Sequence, residues 1–393
     1  MAKKKVPELR FKGFEGEWEE SIIKDKFKVT RGYVLAVAKT SDVRSDKQPY
    51  PVYSSQTKEN GLMGYYKDFL YDTAITWTTD GANAGTVKFR KGKFYCTNVC
   101  GVLLSNEGYA NEMVTEALNK IAWKHVSRVG NPKLMNNIMS EINILLPRNL
   151  SEHIEISKLM KSIDSLIALH QRKHDKLLTV KKAMLEKMFP KEGADVPELR
   201  FKGFTEKWER LKLGETVRFY NGLTYSPLDV AQEGGTLVLR SSNVKNSEVV
   251  SADNVYVKTE AVDSMNVSIG DIIVVVRNGS RSLIGKHALI KQTMPYTVIG
   301  AFMTGIQYRH ADFFNAQLNT KHYDKEIEKN MGATINQITT GSFKEMEFPF
   351  PTDNEQIKIG TYYRNLDSLI TLHARELEKL KNIKKACLEK MLV

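Results

Sequence analysis

The sequence predicts an α+β chain: two globular, strand-rich domains separated by two long helices that pair as an antiparallel coiled coil, with a pseudo-two-fold internal repeat. Three observations predict it. The phrase VPELRFKGF at residues 6–14 recurs unchanged at 196–204, and each copy is soon followed by a tryptophan, Trp18 or Trp208. A longer block, residues 151–189, recurs at 354–392 with DSLI, the step ending at His170 or His373, and KKA-x-LEKM in common. Between the blocks, residues 75–104, 237–258 and 267–291 carry short β-branched and aromatic runs broken by Gly, Asn, Asp and Ser, the signature of strands and turns.

The elements follow in order. Residues 1–150 form the first domain with its N-terminal frame segment, and 151–190 the central long helix. Residues 191–353 form the second domain, and 354–393 the C-terminal long helix. Helical patches at 111–125 and 311–331 lie near the end of each domain. The short blocks are offset by 190 positions (Val6 onto Val196) and the long blocks by 203 (Asp164 onto Asp367), so the second variable segment is the longer. The variable segments match weakly or not at all, which reads as one frame holding different contents.

In the long blocks, apolar residues recur at three- and four-residue spacings. Ile163, Leu166, His170, Leu177 and Val180 are expected in the seam of the first helix, and Leu366, Leu369, His373, Leu380 and Ile383 in that of the second. About 35 residues at 1.5 Å each make a rod of about 50 Å. One apolar seam on such a rod needs a partner, and the other copy is the economical one. The two histidines read as packing residues rather than metal ligands. Pro190 stops the first helix.

The chain has 393 residues, 41% of them hydrophobic, and a formal net charge of +12. A basic balance of this size favours a polyanionic partner, nucleic acid before membrane surface. The three cysteines lack zinc or redox spacing, no apolar signal region follows the basic N-terminus, and no apolar run is long enough to span a membrane. Phosphate-binding and catalytic motifs are missing. GSRSLIGKH at 279–287 has the wrong spacing and a His where a nucleotide loop needs a hydroxyl, and Asn131-Pro132 is followed by Lys133. No clustered His/Asp set suggests a metal hydrolase.

The loops do carry side chains suited to DNA. Arg and Lys neutralise phosphate or clamp guanine, and Asn and Gln pair with adenine. Candidates in the first domain are Thr30, Arg31, Tyr33 and Lys39; Ser54, Ser55, Gln56, Thr57 and Lys58; Thr78, Thr79, Asp80, Asn83, Lys88 and Arg90; and Lys133. Those in the second are Tyr220, Asn221, Thr224 and Tyr225; Arg240, Ser241, Ser242, Asn243 and Lys245; Arg277, Asn278, Ser280, Arg281, Lys286 and His287; and Asn336. For any one of them the alternative is an ordinary solvated loop side chain.

The layout, with VPELRFKGF…W opening each half and DSLI…LEKM closing it, resembles the specificity (S) subunit of Type I restriction-modification enzymes over essentially the whole chain. YPVYSSQTKENGLMGYY, TWTTDGANAGTV and TNVCGVL look like one type of target recognition domain. GLTYSP, GGTLVLRSSNV and DIIVVVRNGSRSLIGKHALI look like another. The resemblance implies a non-catalytic subunit of a bacterial, cytoplasmic complex. Each domain would read half of a split, asymmetric double-stranded DNA site through the major groove. The helices would set the spacer and dock two methyltransferase (M) subunits, with restriction (R) subunits added. This chain would bind no cofactor. S-adenosylmethionine for adenine methylation, ATP and Mg²⁺ would belong to the partners. Many members carry a Gly-Gly-Thr-Pro-like turn early in each domain. Here residues 221–227 read NGLTYSP while 30–33 read only TRGY, so the carry-over to the first domain rests on less. Two other readings stay open beside this one: a coiled-coil adaptor whose domains bind proteins, and a self-sufficient DNA enzyme.

Overall fold

The computed structural model describes residues 5–55, 58–232, 234–332 and 336–393. They form two compact units, one of Met1–Gln171 with Arg375–Val393, the other of Arg172–Ala374. The two long helices, Leu150–Lys187 and Asp353–Met391, are each divided between the units.

In the first unit a six-stranded sheet runs in the order Lys28–Arg31, Cys100–Leu104, Tyr71–Thr78, Val87–Cys96, Tyr50–Tyr53, Leu62–Tyr66. Its pairings are antiparallel except for Tyr50–Tyr53 with Val87–Cys96. The run AITWT at 74–78 is buried throughout, as a central strand of β-branched and aromatic residues should be. Asn111 caps the helix Glu112–Ile121 by accepting from the Val114 amide at 3.0 Å. This helix packs Met113, Val114 and Leu118 into a core with Trp18, Trp77, Ile156 and Met160. The short strand Glu19–Ile22 pairs with Asn143–Leu146 at the base of the domain.

The second unit has a four-stranded sheet of Arg218–Asn221, Met303–Gln307, Ile272–Val275 and His287–Leu289, and a three-stranded sheet of Val255–Val257, Thr236–Leu239 and Thr297–Ile299. Ile272–Val275 is buried at every position. Aromatics dominate the core: Trp208, Phe313, Phe314, Phe343, Phe348 and Tyr363. Glu209–Lys212 pairs with Glu347–Phe350, the counterpart of the basal pair in the first unit.

The variable segments share more than the sequence suggests. Strand for strand, the ladders correspond: Thr78 opposes Cys100 as Val275 opposes Met303, and Arg31 opposes Gly101 as Asn221 opposes Thr304. The parallel pairing of Tyr53 with Cys96 reappears as Leu239 with Ile299. The pseudo-two-fold repeat therefore runs through the variable segments as well. Backbone wiring is common to the contents too, because main-chain hydrogen bonds specify a ladder without specifying side chains.

In each unit the two helix segments run antiparallel. Lys384 reaches Asp164 at 2.8 Å in the first unit, and Lys181 reaches Asp367 at 2.6 Å in the second. The seam keeps a strict alternation of four- and three-residue steps: 163, 167, 170, 174, 177, 181, 184, 188 in one helix, and 366, 370, 373, 377, 380, 384, 387, 391 in the other. Every one of these positions is buried or half-buried. Ile163, Leu366, His170, His373, Leu177 and Leu380 lie in it. Leu166, Leu369 and Ile383 do not, being 44%, 46% and 41% exposed. The heptad step passes to Ile167, Ile370 and Lys384 instead, one position on, which turns the three expected residues toward solvent. Val180 is half-buried beside the seam position Lys181.

The repeated blocks meet inside each unit. The Leu9 amide donates to the Lys390 carbonyl at 2.9 Å, and the Leu199 amide donates to the Lys187 carbonyl at 2.8 Å. Arg10 forms a two-pronged pair with Glu152, at 2.7 and 2.8 Å, and Arg200 the same pair with Glu355, at 2.7 Å on both arms. VPELRFKGF thus clamps the end of one long helix and the start of the other.

Candidate nucleic-acid interface

In each unit five loops converge where the sheet strands end. Gly32 and Gly222 show how closely. A β-carbon on Gly32 would stand 2.2 Å from the Cys96 carbonyl oxygen, and one on Gly222 2.1 Å from that of Gly300. No side chain fits there. The neighbouring amides close the crossing, Tyr33 to the Cys96 carbonyl at 3.1 Å and Leu223 to the Ile299 carbonyl at 2.7 Å.

The second unit gathers Asn221, Arg240, Ser241, Arg277, Asn278 and Asn336 at this end. Asn278 donates to the Ser241 hydroxyl at 2.9 Å and Asn336 to the Gly279 carbonyl at 3.0 Å. Arg240 is held by the Asp253 carboxylate at 2.7 Å. The Arg277 guanidinium lies over the Phe302 ring, 5.1 Å from its centre. Thr224, Ser242, Ser280 and Arg281 are exposed on the same loops, with Ser280 fixed through its amide to the Asn278 side chain at 2.9 Å. Tyr225 packs beside Leu223. Lys245 is exposed on the hairpin 244–249 and Lys286 just before the His287 strand.

The first unit gathers the corresponding positions. Arg31 and Tyr33 are exposed, and the Thr30 carbonyl accepts from Asn136 at 3.3 Å. Ser54 accepts from the Thr97 hydroxyl at 3.0 Å, and Ser55 is half-buried beside it. Asp80 accepts from the Thr79 hydroxyl at 2.6 Å and lies 3.7 Å from the Lys133 ammonium. Asn83 is half-buried in the turn whose Thr86 amide it receives at 3.1 Å. Lys39 is exposed on the turn Val37–Lys39. Lys88 is half-buried at the second position of the strand Val87–Cys96. Gln56 and Thr57 lie outside the described residues, as does the Lys58 side chain.

Several residues expected to face DNA are occupied elsewhere. Arg90 is 7% exposed, stacked 3.7 Å over Tyr53 and donating to Thr76 at 3.1 Å, and burial lowers its pKa. Thr78 and Thr79 are buried. Asn243 is fully buried and serves its own loop, donating to the Ala252 carbonyl at 2.8 Å and the Asn254 side chain at 2.9 Å. The Tyr220 hydroxyl donates to Asp271 at 2.8 Å, and burial with that bond raises its pKa. In each case a polar group that ends inside must be satisfied by the protein, and so is unavailable to a ligand. Reading polar loop residues as a set misses this. It also misses Phe302 and Gln337, which stand against Arg277.

His287 is the sharpest correction. It is 6% exposed, contacts Asn319 at 3.1 Å and meets the Tyr323 ring edge-on. Burial is the first cause of its pKa falling from 6.5 to about 4. The folded state therefore resists protonation that the unfolded state accepts. Stability contributed by the neutral ring is present above pH 6.5 and is lost as pH falls toward 4. Over that window the second unit is expected to lose on the order of 3 kcal/mol. His287→Gln should flatten this dependence in denaturant unfolding between pH 4 and 7. An unchanged pH profile would count against it.

Among the described residues, no group of three His, Cys, Asp or Glu side chains is placed to hold a metal ion, and no helix is long and apolar enough to cross a membrane. Residues 15–179 and 205–382 both match the family described as the Type I restriction modification DNA specificity domain. The chain belongs to this family. The two matched stretches correspond to the two repeats, so each half is a specificity domain in its own right.

Named relatives agree. The type I specificity subunit S.MpnORF289P N-terminus of Mycoplasma pneumoniae is 39% identical over 125 residues, which are 31% of this chain and 65% of that one. The MjaVIII specificity subunit of Methanocaldococcus jannaschii is 22% identical over 401 aligned positions, covering 96% of this chain and 92% of its own. In structure, the type I restriction-modification S subunit from M. genitalium superimposes with a TM-score of 0.67 at 16% identity, covering 99% of both chains. At that identity the likeness is one of fold.

Proposed function

We propose that this chain is the non-catalytic specificity subunit of a Type I restriction-modification complex. It reads an asymmetric, bipartite double-stranded DNA site, one half per unit. The observation that carries the reading is the common loop platform in both units, furnished with unlike side chains at matching positions: Arg31 against Asn221, Ser54 against Arg240, Asp80 against Arg277. Identical platforms would read a symmetric site, and unlike ones read two different half-sites. The net charge of +12 suits the phosphate backbone. Two methyltransferase subunits dock on this chain and supply adenine methylation with S-adenosylmethionine, and restriction subunits bring ATP- and Mg²⁺-dependent cleavage. Leu166 and Leu169 in the first unit, and Leu369 and Leu372 in the second, are each 42–50% exposed on their helix, and one such apolar pair per unit supports docking of two subunits.

The test is adenine-methylation sequencing of DNA from cells carrying this chain with its methyltransferase partners. A split sequence with two different halves is expected. Because the long helices link the units, one helical turn inserted in each, between Leu166 and Val180 and between Leu369 and Ile383, should change the spacer by about one or two base pairs at 5.4 Å per turn. The letters of both halves should stay. Letters that changed with the insertion would undo this division of labour. A gel shift without sequence preference, partners present, would instead favour a protein-binding adaptor.

A further inference from the structure

The point at which the two platforms match most closely is a small backbone bridge. In the first unit it joins Asp80 to Lys133, and in the second Arg277 to Gln337. The flanking bonds are the same in both. Thr79 donates to the Val99 carbonyl at 3.0 Å, Gly81 to Pro132 at 2.9 Å, and Leu134 to Thr79 at 2.8 Å. Their counterparts are Val276 to Phe302 at 3.0 Å, Asn278 to Asn336 at 3.2 Å, and Ile338 to Val276 at 2.9 Å. Three main-chain bonds pin each bridge, so its residues project from a backbone held alike in the two units. What differs is chemistry: an acid with a base in one, a guanidinium with an amide in the other.

We propose that this bridge is the base-reading position of each unit, with Arg277 taking a guanine in the second half-site and Asp80 an exocyclic amino group of cytosine in the first. The inference rests on the DNA-reading function above and adds the residues and the bases to it. Arg277 is exposed and has no acidic partner within salt-bridge distance among the described residues. Phe302 supports its guanidinium face, which leaves the forked N–H edge free. That edge matches the O6 and N7 acceptors of guanine. Arg240, by contrast, is committed to Asp253. Asp80 offers acceptors only, and its Oδ2 is engaged by Thr79. Lys133 at 3.7 Å from Oδ1 offsets the repulsion a lone carboxylate would meet near phosphates. An acceptor at one bridge and a donor at the other account for two half-sites that differ at this place.

The experiment uses the full chain with its methyltransferase partners and reads the methylated sequence by sequencing. Arg277→Lys, Arg277→Gln and the double variant Asp80→Arg with Lys133→Gln are compared with the parent. The parent should show guanine at a position of the second half-site. Both Arg277 variants should lose preference there by about 5- to 150-fold, with every other letter and the spacer kept. The double variant should change one letter of the first half-site to guanine. Arg277 is exposed, so Arg277→Lys keeps charge and fold while removing the fork. Unchanged letters in the Arg277 variants, or a uniform loss of affinity across sequences with a shallower salt dependence, would make Arg277 a phosphate contact and overturn the proposal. A parent complex that methylates no defined sequence would instead remove the function on which the proposal rests.

Discussion

Glu355→Ala is expected to destabilise the second unit by about 3–5 kcal/mol, the cost of leaving a buried charge without its partner. Glu355 is fully buried in the first turn of its long helix and receives both arms of Arg200 at 2.7 Å. Arg200 is only 11% exposed, and its Nη1 already lacks a partner. Removing the carboxylate would strand the whole guanidinium, where water cannot readily replace it. Glu152→Ala should do the same to the first unit through Arg10, somewhat less, because Arg10 keeps its bond to the Gly16 carbonyl at 2.6 Å. Lys24→Ala is the control. Its partner Glu141 is 58% exposed, and a solvent-screened surface pair of this kind contributes little. Denaturant unfolding of the three variants checks the order. A loss from Glu355→Ala no larger than from Lys24→Ala would show that the clamp does not hold the unit together.

Gly222→Ala is expected to abolish sequence reading in the second half-site while leaving the first intact. The new β-carbon would press on backbone atoms, the Gly300 carbonyl oxygen at 2.1 Å and that of Ile299 at 2.7 Å. No rotamer change relieves a clash with main chain, so loops 221–226 and 299–302 must part. Overpacking of this kind costs about 1–3 kcal/mol or more. Its functional effect is larger, because the crossing sets the height of Asn221 and Phe302 on the platform. Gly32→Ala, facing the Cys96 and Thr97 carbonyl oxygens at 2.2 and 2.3 Å, should do the reverse and spare the second half-site. Methylation sequencing of both variants checks the pair. Preserved letters in the affected half would show that the platform tolerates displacement.

The frame was legible in the sequence because repetition exposes it. VPELRFKGF and DSLI…LEKM marked the clamp and the helices, and the expected helix starts at 151 and 354 lie one residue from those observed, Leu150 and Asp353. The platforms were legible as a class of loop and not residue by residue. Asn243, Arg90 and His287 belong to the same polar vocabulary as Asn278, Arg31 and Arg281. Only burial separates side chains that serve their own loop from those left to serve a ligand. The seam was misread at Leu166, Leu369 and Ile383 because three- and four-residue spacings of apolar side chains admit these residues as well as their neighbours, whereas the strict 3.5-residue step selects Ile167 and Ile370 and admits Lys181 and Lys384. The kinship of the two variable segments is faint when they are compared directly with each other, since a ladder of amides and carbonyls accepts almost any side chain.

The contact between Leu9 and Lys390 has a consequence for how the chain is made. The second unit is one uninterrupted stretch, Arg172–Ala374, whereas the first needs residues 375–393 to complete it. Met391 and Leu392, each 2% exposed, fill its core, and the Lys120 ammonium holds the Leu392 carbonyl at 2.7 Å. On the ribosome, the half that emerges first therefore keeps its core open until residues 375–393, made after the whole of the second unit, can reach it.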